Sequence, residues 1–134
     1  MSAVVRHPLS HLPVSAAMHD GVITCDCAAP LTEVARLMSD ERVHCVVVAG
    51  EGGRPWALIS DLDLTAAASV RGLIGQTAAA TAATPLVTVR PDESLERAAQ
   101  LMTEHGISHL VVIEPGGGRP VGVLSTLDIA RAAA

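Results

Sequence analysis

Two short stretches of this 134-residue chain combine residue types that can do chemistry: Ser60-Asp61-Leu62-Asp63 and Ser125-Thr126-Leu127-Asp128. In each, a hydroxyl is followed three residues later by a carboxylate, where a short apolar run gives way to a helical pattern. As helix chemistry alone, the Ser caps the helix and the Asp answers back to the Ser backbone, with less reach than the usual Glu. The same arrangement suits a ligand. A helix N-terminus offers free N–H groups and partial positive charge to a phosphate, and an ionised Asp can accept from both hydroxyls of a ribose. Both roles are open at each step.

The remaining reactive residues are less organised. Cys25-Asp26-Cys27 puts two thiols on one face of an extended segment with His19 nearby, but tetrahedral metal sites use wider pairs and four ligands. Cys25 corresponds to Val89 in the second half, and Cys45 lies in an apolar run, so both read as core thiols. His7 and His11 read as solvated. The Cys and His residues form no recognisable nucleophile–base motif, and no G-x-x-x-x-G-K phosphate loop occurs. The glycines at 50–53 and 116–118 read as turns. A binding role is expected, not an enzyme.

The elements that must carry the two steps recur in order. Residues 1–13 lack periodicity and read as a loosely held N-terminal arm, and 14–18 as one helical turn. Val22-Ile23-Thr24-Cys25 is a strand pattern, and Pro30 suits the first position of a helix. Leu31, Val34, Ala35 and Met38 form one helical stripe. The apolar run 43–49, a glycine turn and the strand 56–59 then lead to Ser60. From Leu86 the order repeats, with Gly106 suited to ending the second stripe helix. The halves superpose at a spacing of 64 residues (Thr24/Thr88, Leu31/Leu95, Met38/Met102) and of 65 after one extra turn residue (Ser60/Ser125, Asp63/Asp128). The expected domains are an arm at 1–13, repeat 1 at 14–70, a weakly anchored linker at 71–84 and repeat 2 at 85–134. One such unit would bury little surface alone, so two packed by pseudo-twofold symmetry are expected.

Composition narrows the classes. Hydrophobic residues make up 49% with one Trp and no Phe or Tyr, so the core must be aliphatic and no stacking platform for single strands exists. The net charge of −5 argues against a phosphate-backbone binder. No apolar run approaches the roughly 18 residues of a membrane span, and no signal peptide is recognisable. The expectation is a soluble cytoplasmic protein with its three Cys reduced, binding neither nucleic acid nor membrane.

A tandem unit of this order, each half closing on Gly-h-h-Ser/Thr-x-x-Asp, resembles a pair of CBS domains (a Bateman module). Gly122-Val123-Leu124-Ser125-Thr126-Leu127-Asp128 carries the resemblance in the second half and Ala57-Leu58-Ile59-Ser60-Asp61-Leu62-Asp63 in the first. The resemblance implies an α/β (α+β) fold of tandem strand–helix–strand–strand–helix repeats and a regulatory ligand containing adenosine: AMP, ADP, ATP, S-adenosylmethionine or NAD. No cofactor is obligatory. It implies that Asp63 and Asp128 bind a ribose diol, that Ser60 and Ser125 lie by the phosphates, and that Thr24 and Thr88 contribute from the leading strands. Which Thr serves which cleft stays open. His44 and His109 are the nearest basic candidates towards the phosphates, and Gly122 would let the backbone pass close to a ligand. Two uncharged imidazoles suit AMP better than ATP unless Arg54, Arg119 or a second subunit contributes. The second site is expected to bind better, because Ala57 adds a methyl group and Asp61 a negative charge to the first.

The function expected is a stand-alone regulatory sensor acting in trans on an unknown effector or through its own homodimer. The alternative is a thiol- or metal-responsive interaction protein with empty nucleotide clefts.

Overall fold

The runs at 45–49 and 109–113 have no polar face, and each becomes an inner strand of a sheet with its middle residues fully buried. In the computed structural model, which describes residues 9–82, 86–116 and 118–134, a 3₁₀ turn (Val14–Ala16) leads to the two-residue strand β1 (His19–Asp20). Then come β2 (Thr24–Asp26), α1 (Leu31–Glu41), β3 (Cys45–Ala49), a second 3₁₀ turn (Glu51–Gly53), β4 (Pro55–Ser60) and α2 (Asp61–Val70). Short α3 (Ala78–Thr81) opens the second pass, followed by β5 (Thr88–Val89), α4 (Leu95–His105), β6 (His109–Ile113), β7 (Pro120–Ser125) and α5 (Thr126–Ala133).

The strands form two sheets, ordered β2-β3-β4 and β1-β7-β6-β5. In each, a parallel pair (Thr24 with Val47; Thr88 with Val111) adjoins an antiparallel hairpin (Cys45 with Ser60; His109 with Ser125). The register slips at matching places, between Val48 and Ala49 and between Val112 and Ile113. The stripes read from sequence are the buried faces: Leu31, Val34 and Met38 on α1, and Leu95, Ala98 and Met102 on α4. Pro30 caps α1 from just outside the helix, one residue earlier than expected. Gly106 ends α4 in the left-handed conformation, and Arg42, at the equivalent place in α1, adopts it too (φ 54°) despite its side chain.

The chain divides into two compact units that do not coincide with the repeats: Val22–Leu86, and Met1–Gly21 together with Val87–Ala134. Each repeat's lead-in segment belongs to the other repeat's unit. Val14, fully buried, packs in the core with Val89, Leu95 and Leu110, while Ala78 packs with Leu31, Val34 and Ile59. The hydrogen bonds are reciprocal. Val14 N–H donates to Glu93 O (2.7 Å) as Ala78 N–H does to Ala29 O (2.8 Å), and Leu95 N–H donates to Leu12 O (2.8 Å) as Leu31 N–H does to Gln76 O (2.9 Å).

Two expectations are corrected here. Of the proposed loose arm, residues 9–13 lie among the described residues and are anchored, Leu9 being only 5% exposed in the second unit's core. The stretch 71–84 is more than a connection, since Leu73 and Ala78 pack into the first unit's core. Residues 69–83 could hold a short helix on sequence grounds, but both segments find their partners far along the sequence, so local periodicity carried no trace of their anchoring.

Candidate functional site

The two Ser-x-x-Asp steps fold alike. β4 ends on Ser60 and β7 on Ser125, and each Ser becomes the N-cap of the following helix with a complete reciprocal cap. Ser125 Oγ accepts from Asp128 N–H (3.2 Å), and Asp128 Oδ2 accepts from Ser125 N–H (2.8 Å). In the first repeat the same bonds measure 3.2 Å and 2.9 Å between Ser60 and Asp63. The shorter Asp side chain therefore closes the box fully, and each carboxylate is oriented by a backbone N–H at a helix N-terminus.

Around these boxes the repeats differ. Asp128 is 5% exposed, and its Oδ1 lies 2.9 Å from His19 Nε2 on β1. Asp63 is half-buried. His44 Nδ1 lies 3.0 Å from Asp61 Oδ2, both side chains exposed, so the extra carboxylate of the first repeat is answered by an imidazole one strand away. At the equivalent place in the second repeat Thr126 replaces Asp61 and Ser108 replaces His44. His109, one residue on and half-buried, pairs with Ser125 across the hairpin and has its Nδ1 3.0 Å from Ser108 Oγ.

Other site residues stand apart. Thr24 and Thr88 lie on the far side of a strand from their own unit's Ser, offset by two residues, which strand geometry makes on the order of 12 Å. Within a unit, therefore, the Thr and the Asp are not neighbours. Gly122 is occupied from within: a Cβ there would lie 2.5 Å from His19 O and 3.1 Å from Met18 Sδ, so the missing side chain admits the chain's own β1. The close approach inferred for a ligand is made by backbone. His19, which sequence reasoning weighed only beside the thiols, joins the site. Its one sequence signal is asymmetry, since Ala83 stands 64 residues on, outside the described residues.

The thiols are not poised for chemistry. Burial pushes Cys25 up to about 11, with the neighbouring Cys27 adding to the effect, and pushes Cys45 up to about 12, with Asp61 adding to it. Cys27 Sγ lies 3.3 Å from Ala49 O, which accepts its weak hydrogen bond. Among the described residues no three His, Cys, Asp or Glu are grouped to hold a metal ion.

The duplicated cap on matched sheets is a recognisable pattern, and the family model of the CBS domain matches the chain twice, at residues 14–70 and 79–134. The chain belongs to the CBS-domain family. As a tandem CBS protein it is 31% identical over 101 residues to the CBS domain-containing protein YhcV of Bacillus subtilis strain 168, covering 75% of this chain and 70% of that one. It is also 31% identical over 123 residues to a homoserine O-acetyltransferase of Methanohalophilus mahii, covering 88% of this chain but 24% of that enzyme. The chain thus spans about a quarter of the acetyltransferases it matches, and their activity belongs to those longer proteins. In fold it is similar to a solved CBS domain pair in complex with 5-methylthioadenosine and S-adenosyl-L-methionine, with a TM-score of 0.79, 21% identity, and coverage of 90% of this chain and 94% of that one. The matched stretches follow the sequence repeats, whereas the compact units exchange the lead-in segments.

Proposed function

We propose that this CBS pair is a regulatory protein that binds an adenosine-containing ligand, AMP-like in preference to ATP, and passes its occupancy to a partner protein or to a second copy of itself. The observation that carries the reading is the pair of carboxylates, Asp63 and Asp128, each fixed by a backbone N–H at a helix N-terminus. A carboxylate so held is preorganised to accept from a ribose diol, while the helix end beside it favours a phosphate. The solved pair with two adenosine-containing ligands supports the class.

Charge supports few phosphates. His44 already faces Asp61, and Arg54 and Arg119 sit at the opposite ends of β4 and β7 from Ser60 and Ser125, about 20 Å away at strand rise. ADP, ATP, S-adenosylmethionine and NAD are the competing ligands. A homodimer suits α2, on which Leu62 and Val70 are 73% and 79% exposed, and a reducing cytoplasm suits the three free thiols. No helix among the described residues is long and apolar enough to cross a membrane. The thiol-responsive alternative loses ground because burial disfavours the reactive thiolates of Cys25 and Cys45.

Calorimetric titration of the five ligands tests the reading, with Asp63→Asn and Asp128→Asn as comparisons. Asn retains an acceptor for the cap N–H but loses the charge that draws in both hydroxyls. AMP is expected to bind, and the double variant to lose at least tenfold in affinity. Undiminished affinity in the double variant removes the diol assignment. Failure of every ligand to bind removes the nucleotide reading.

A further inference from the structure

Asp128 has both oxygens engaged by its own chain: Oδ2 by Ser125 N–H and Oδ1 by His19. Each oxygen keeps a further lone pair, but the carboxylate side chain is only 4% exposed, and the imidazole stands at hydrogen-bond distance from its Oδ1. The imidazole itself faces water. Its side chain is 69% exposed, so swinging into water opens no cavity and forfeits one hydrogen bond, which a ligand hydroxyl can replace on the same oxygen. β1 delivers it, pairing His19 with Val123 and Asp20 with Gly122. Gly122 allows that pairing, since any side chain there meets His19 O. The first repeat has Ala83 and Ala57 at the positions of His19 and Gly122. The device belongs to one repeat only.

From this geometry we propose that His19 is a displaceable latch on the Asp128 carboxylate. An adenosine ligand at the second Ser-x-x-Asp step competes with the chain's own imidazole for that carboxylate. The inference rests on Asp128 being a diol-binding carboxylate.

The probe is adenosine, which carries no phosphate and so reads the diol contact alone. Affinity is measured by calorimetry at pH 8 in an Asp63→Ala background, which silences the first step, with folding checked by circular dichroism. His19→Ala is expected to bind about tenfold tighter than its parent. Equal or weaker binding by His19→Ala, with binding still lost in Asp128→Asn, overturns the latch and leaves the diol contact standing. Undiminished binding in Asp128→Asn overturns the diol contact itself. Absence of adenosine binding by both parent and His19→Ala overturns both.

Discussion

At the scale of single residues, burial decides which groups are available for chemistry. Cys25 and Cys45 sit where their thiolates are poorly solvated, and both are pushed up from about 9, to about 11 and about 12. Stability that depends on neutral thiols is fully present below pH 9 and is lost as the pH rises through 11 and 12, because the unfolded chain ionises first. With no Tyr and no Lys, the chain has few other groups to titrate in that window. Urea unfolding is expected to show a loss on the order of 1–2 kcal/mol between pH 8.5 and pH 10.5, largely absent in a Cys25→Val, Cys45→Val variant. An equal loss in that variant contradicts the assignment. The Ser and Asp of each step were legible in the sequence because a cap is local and appears twice. His19 was not, because its partner lies 109 residues away and its counterpart is Ala83.

At the scale of elements, the two stripe helices and the two hairpins were legible from periodicity and glycine-rich turns. The structure adds β1, whose two residues are too few to declare themselves, and bears out the short helix that residues 69–83 could hold as the four-residue α3. They exist because other elements hold them, β1 through β7 and α3 through the backbone around α1. Arg42 also escaped, since nothing local marks a non-glycine residue in the left-handed conformation. The anchoring of the first lead-in segment has a direct test. Leu9→Ala removes a buried side chain from the core around Leu95 and Leu110, and is expected to destabilise the protein by about 2–4 kcal/mol in urea unfolding. A loose arm would show less than about 0.5 kcal/mol.

At the scale of the whole molecule, the repeat was legible and the unit was not. A spacing of 64 residues exposes the duplication, but it cannot show that each repeat lends its lead-in segment to the other's core. The exchange places a residue of the first repeat, His19, against the carboxylate of the second, so the two equivalent steps differ in their surroundings. The proposed diol contact at Asp63 and Asp128 belongs to this scale, because it is asked of both steps at once. The most direct measurement is a calorimetric titration of the chain at pH 8 with AMP and, in parallel, with its 2′-deoxy analogue. AMP is expected to bind, and removing one hydroxyl of the diol to weaken binding about tenfold or more. Equal affinity for the two, or no affinity for either, would contradict it.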